Sequence, residues 1–186
     1  MALRPGESVA QRAAALRRIG LFADWAALSD AALGTQIEAA ITEEWGDQAP
    51  DEPLLELFVA EQDSTRVWWR DLEADVGPGN DVYTSTLEEW AAISAGAFAP
   101  SAIEETWRSD AGPVKVAFEM GGTAHVLGPE YLEDWIDPRI ATPLNELIAP
   151  SGRELAFFKA FDRTAFVMAL TKDERDALED RGWCFE

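Results

Sequence analysis

The stretch "PVKVAFEMGGTAHVL", residues 113–127, decides the fold. Val114, Val116, Phe118 and Met120 alternate with Lys115, Ala117 and Glu119, the period of two expected of a half-buried strand. Gly121-Gly122 follows at once. A two-residue glycine connection between such runs signals a tight antiparallel hairpin. Pairing across that turn sets Met120 opposite Thr123 and Phe118 opposite His125.

Downstream, Pro129 to Trp135 reads as a short helix. Thr142-Pro143 supplies an N-cap and a first-turn proline for a helix ending near Ala149. After a turn at Ser151-Gly152 come two apolar runs, 154–160 and 164–170, joined near Asp162-Arg163. They read as adjacent antiparallel strands buried on much of both faces. Thr171 to Glu174 has capping-box spacing and opens a charged helix ending near Gly182. The terminal "WCFE" reads as a last short strand.

Upstream, the periodicity is helical. Val9, Ala13, Leu16 and Gly20 form one stripe, with Arg12, Arg17 and Arg18 off it. Ser29 caps a second helix with Leu33, Ile37, Ile41 and Trp45 in register, stopped at Gly46. "GDQAPDEP" is a turn or linker. Residues 54–60 are apolar without a decisive period, and a helix is favoured over a strand. "VWWRDLEADVGPGND", residues 67–81, reads as a tryptophan anchor in the core followed by a turn. Asn80 or Asp81 then caps a helix over 81–95, with Tyr83, Leu87, Trp90, Ala91 and Ser94 inward. Ser101 to Glu104 has capping-box spacing for one more short helix. The expectation is an α+β fold in a single domain, 1–186. A mainly helical part, 1–110, packs on an antiparallel part with hairpins and flanking helices, 111–186. The seam falls at Pro100 to Pro113.

Charge is the unusual feature: 35 acids against 15 bases give −20. Residues 1–20 carry +3, which predicts that the first helix docks on the acidic body. Residues 21–65 hold eleven acids and no Lys or Arg. Such a field repels phosphate backbones and anionic membranes, and it steers basic proteins inward. A cytoplasmic setting, no nucleic acid and no membrane are therefore expected. No apolar run nears the roughly 20 residues of a span. The start shows no signal-peptide core, and the single cysteine excludes an internal disulfide.

Chemistry-bearing motifs are scarce. His125 is the only histidine and reads as a half-buried hairpin residue. Cys184, between Trp183 and Phe185, reads as inert in an apolar setting. No nucleophile elbow, phosphate loop or calcium loop is present. Asp71, Glu73 and Asp75 offer at most adventitious cation binding. Adjacent carboxylates are many, so their spacing selects no acid-base pair. No catalytic residue, cofactor or metal is assigned. The binding candidate is Glu43, Glu44, Trp45, Asp47, Asp51 and Glu52, an aromatic anchor in an acidic rim suited to a basic protein. Against it, Trp45 also completes the buried stripe of its helix.

The segments "PVKVAFEMGGTAHVLGPEYLEDWI" and "FDRTAFVMALTKDERDALEDRGW" follow the order hairpin, helix, strand pair, capped charged helix. In that order the last 75 or so residues resemble predicted bacterial immunity proteins of polymorphic toxin systems. The resemblance implies a cytosolic, non-catalytic inhibitor of a toxin, often a basic nuclease. No family motif is matched position by position, so no residue role carries over. A carboxylate hydrolase, with or without a divalent metal, and a structural or assembly protein stay open.

Overall fold

The computed structural model describes residues 6–46, 54–158 and 163–186. Six α-helices and two three-stranded antiparallel sheets alternate along these residues: an α+β fold. The first sheet has the order β1-β6-β5, from Val67–Asp71, Thr164–Thr171 and Arg153–Phe157. The second has the order β2-β3-β4, from Ser101–Trp107, Val114–Met120 and Thr123–Leu127.

β6 is the central wall of the molecule. Phe166, Met168 and Leu170 point into one apolar cluster, together with residues of α1 (Val9–Ile19), α2 (Asp30–Trp45), α3 (Leu55–Glu61) and α6 (Lys172–Asp180). Ala165, Val167 and Ala169 point into another, with α4 (Val82–Ile93), α5 (Ala141–Ile148) and β3. A strand covered on both faces needs a continuous apolar run, which is what "AFVMAL" provides.

Local signals hold where the expected partners are close in sequence. The hairpin turns on Gly121 and Gly122, both with positive φ, and Phe118 faces His125. Of the two capping-box spacings read from the sequence, Thr171 with Glu174 closes on α6; a box that was not expected, Ser8 with Gln11, opens α1. The basic first helix docks on α2 and α3. Residues 55–61 are helical, as favoured.

Other expectations change. Ser101 to Glu104 is not a helix start. It is the beginning of β2, which pairs along β3 and runs through the expected seam. Residues 67–71 form a strand, because β6 offers an open edge to pair with. Pro129 to Trp135 makes no helix; Leu132 bridges to Trp135, and Trp135 to Glu73. α5 starts earlier than Thr142: Asp137 caps a 3₁₀ turn at Pro138 that leads into it. "WCFE" yields one bridge, Phe158 to Phe185, in place of a strand, and Cys184 is exposed. The linker at 47–53 and the joint at Asp162 lie outside the described residues.

Arg12 departs most from its expected place. It is not on an outer face but fully buried, 3.4 Å from Glu56, which is also fully buried. Glu56 accepts from both Arg181 Nε (2.8 Å) and Nη2 (2.7 Å), and from Trp183 Nε1 (2.9 Å). This network ties α1, α3 and the C-terminal residues into one charged, hydrogen-bonded knot. A buried charge persists only when it is paired in this way.

Candidate functional site

Of the binding candidates, Glu43, Glu44 and Trp45 lie at the exposed end of α2, while Asp47, Asp51 and Glu52 lie outside the described residues. Trp45 is 39% exposed. It therefore does not finish the buried stripe. Its ring stands edge-on to Phe58 at 4.9 Å, Phe58 meets Trp69 at 4.8 Å, and Trp69 meets Phe166 at 5.3 Å. An aromatic chain thus runs from the acidic surface to the central strand.

Beside this chain opens a cleft of about 390 Å³. Its walls come from the ends of α2 and α3, from β1, and from the outer side of α4. Glu44, Glu61, Trp68, Trp69, Arg70 and Glu89 decide its chemistry. Strand alternation explains why two adjacent tryptophans behave differently. Trp68 turns into the second cluster and packs on Trp90 at 5.7 Å, while Trp69 turns to the first. Trp68 Nε1 donates to Glu89 Oε2, and Arg70 Nη2 donates to Glu89 Oε1 at 3.4 Å. Glu89 is thereby fixed against one edge of the cleft.

Glu61 is different. Its Oε2 is shut off from solvent and accepts no hydrogen bond among the described residues. Burial, then the charge of Glu44, pushes its pKa up to about 7; Arg70 works against them. A carboxylate taken out of water without a donor holds its proton more tightly. Near neutral pH the cleft therefore has one carboxyl poised to ionise when a cation arrives. Three carboxyls face one guanidinium here, and tryptophan faces attract cations.

Sequence reasoning placed Glu44 at the site but not Glu61, Glu89 or Arg70, and it read Trp68 and Trp69 as core alone. For Trp68, Trp69 and Arg70 the signal was the stretch "VWWRD" itself; Glu61 and Glu89 lie outside it. Asp71, Glu73 and Asp75 do not converge. Asp71 accepts from the Glu73 amide at 3.0 Å, Glu73 reaches Arg163 at 3.4 Å, and Asp75 accepts from Asn80. Among the described residues no group of three or more His, Cys, Asp or Glu is placed to hold a metal ion. His125 is half-buried and stacks on Phe118 at 5.3 Å.

A larger hollow, about 590 Å³, lies between α5 and β5. Its arginine and asparagine are already engaged: Arg139 by Asp137 and Glu130, and Asn145 by the Leu155 backbone. The smaller cleft is therefore the better candidate. No helix among the described residues is long and apolar enough to cross a membrane. Comparison with family models, with curated proteins and with solved structures finds no match to this chain.

Proposed function

We propose that this protein is a non-catalytic binding module that captures a basic protein, in the manner of an immunity-type inhibitor. The contact surface is the acidic end of α2 together with the adjoining cleft. The observation that carries the reading is Glu61, which lines an aromatic-walled cleft and whose buried Oε2 has no hydrogen-bond donor among the described residues. An arginine or lysine side chain of the partner, seated in the cleft, supplies the positive charge that favours ionised Glu61. The charge of −20 supports the same reading, since it raises the encounter rate with a basic partner. Cytoplasmic residence and avoidance of nucleic acid and anionic membranes belong to it as well.

The test is affinity capture from the native host with wild type and with a Glu43→Lys, Glu44→Lys, Glu89→Lys variant. A basic protein held by the wild type and lost by the variant supports the reading. The loss should appear mainly as slower association at low salt. Equal recovery by both would place the contact elsewhere.

A second reading, a carboxylate hydrolase, is favoured by the same residue. A carboxyl with a pKa of about 7 suits a general acid at neutral pH. Under it, Glu61→Gln abolishes turnover of a substrate that the protein still binds. Under the binding reading, no turnover exists to lose.

A further inference from the structure

We propose that two copies of this chain join edge to edge through β4, making one continuous six-stranded sheet about a two-fold axis at His125. This stands apart from the cleft and rests on different residues.

The two sheets have four edges, and three are guarded. β5 is closed by Asn145, whose amide donates to Leu155 O (3.0 Å) and accepts from Leu155 N (2.6 Å), and by Glu186 N on Phe157 O (2.9 Å). β1 ends in the exposed charges of Arg70 and Asp71. β2 carries a bulge at Ala102, with φ 49°, and the charges of Glu104 and Glu105. Bulges, charges and covering segments are how edges are kept from pairing. β4, "TAHVL", has none of them, in a chain where 27% of residues are charged.

Its backbone is also in the right phase. The two-residue turn closes on the Met120–Thr123 pair, so hydrogen-bonded pairs recur at Phe118–His125 and Val116–Leu127. The N–H and C=O of Ala124 and Val126 then face outward, and among the described residues no partner takes them. Both residues are exposed; Val126, at 56%, is the most exposed large apolar side chain of those described.

This edge is self-complementary. With His125 on the axis, Ala124 lies opposite Val126 of the second copy, and Val126 opposite its Ala124. Each pair exchanges two backbone hydrogen bonds. The same register carries the second copy's Gly121-Gly122 turn alongside Gly128-Pro129. There a groove of about 420 Å³, lined by Leu127, Gly128, Pro129 and Pro143 and by Glu130 and Asp137, both paired to Arg139, opens beside the strand end. A turn of two glycines brings no side chain into it. A second copy fits this edge better than a basic partner does, because β4 carries no carboxylate and those of the groove, Glu130 and Asp137, are already paired to Arg139.

A five-residue edge covers less than the roughly 1,200 Å² of stable complexes, so the dimer is weak. Two bodies of −20 repel, so added salt tightens it. The experiment is sedimentation equilibrium at up to about 1 mM protein, at low and high salt, with amide exchange followed by NMR. Wild type should dimerise more strongly at high salt, and the Ala124 and Val126 amides should become protected as concentration rises. Ala124→Lys charges the edge, and Val126→Pro removes an outward N–H while also fixing φ at that position. Both should stay monomeric, Ala124→Lys with unchanged thermal stability. A wild type that is monomeric throughout would overturn the proposal. So would a dimer in which these two amides stay unprotected, or one that both variants still form.

Discussion

Replacing Glu61 by Gln should stabilise the protein, and only above mildly acidic pH. The folded pKa lies at about 7 against an ordinary 4.5. Below 4.5 the carboxyl is protonated in both folded and unfolded chains, so it contributes no pH-dependent difference. Between 4.5 and 7 the unfolded chain ionises first, and stability falls as pH rises. Above 7 both states are ionised and the full cost persists. A displacement of this size is worth about 3 kcal/mol for a fully shielded group. Glu61 is only half-buried, and solvent screening brings the figure to about 1–2 kcal/mol. Glutamine keeps the shape without the charge. Urea unfolding followed by tryptophan fluorescence at pH 4 and pH 8 should thus show a gain of about 1–2 kcal/mol for Glu61→Gln at pH 8 and almost none at pH 4. A variant that is less stable at pH 8, or equally shifted at both, would refute the claim that ionised Glu61 is held against its own solvation. A site that costs stability while empty is what a binding role entails.

Three further outcomes follow from the same contacts. Glu56→Ala leaves Arg12 and Arg181 without their shared carboxylate and should cost about 3–5 kcal/mol in urea unfolding, whereas Glu179→Ala on the exposed Arg175 pair should cost under about 1 kcal/mol. Glu105 on β2 accepts from the amides of Tyr83 (2.8 Å) and Thr84 (3.2 Å) and so caps α4 from outside; Glu105→Ala should lower stability by about 1 kcal/mol, measured by thermal unfolding. Burial raises the pKa of Glu174, but the Thr171 amide, Arg66 and Arg153 outweigh it and hold the carboxyl below its usual range. Its contribution is present above the unfolded pKa of about 4.5 and is lost as pH falls through the lower folded value, so Glu174→Gln should be destabilising at pH 7 and converge with wild type in acid.

What could be read from the chain was what it encodes within a few residues. The glycine turn, the Thr171–Glu174 capping box and the apolar run of β6 each specify a structure almost alone. β1 could not be read, because its strand state depends on β6, where Val67 pairs with Met168; β2 was missed although β3 follows it closely. Ser101 to Glu104 has helix-start spacing, yet pairing with β3 overrides it. Arg12 looked like a surface residue because Glu56 and Arg181, which make its burial tolerable, lie 44 and 169 positions away. At the site, Glu44 was found through local acidity. Glu61 was not, since its character comes from burial and from Glu44 on another helix, and no pattern around residue 61 records that.

The measurement that bears most directly on the central claim is the titration of the Glu61 side-chain carboxyl by ¹³C NMR, alone and with an arginine-rich peptide. The cleft reading predicts a midpoint of about 7 in the free protein. It also predicts a clear fall of that midpoint when the peptide binds, with tryptophan fluorescence changing in step. A midpoint in the ordinary glutamate range, or one that the peptide leaves unmoved, would contradict it.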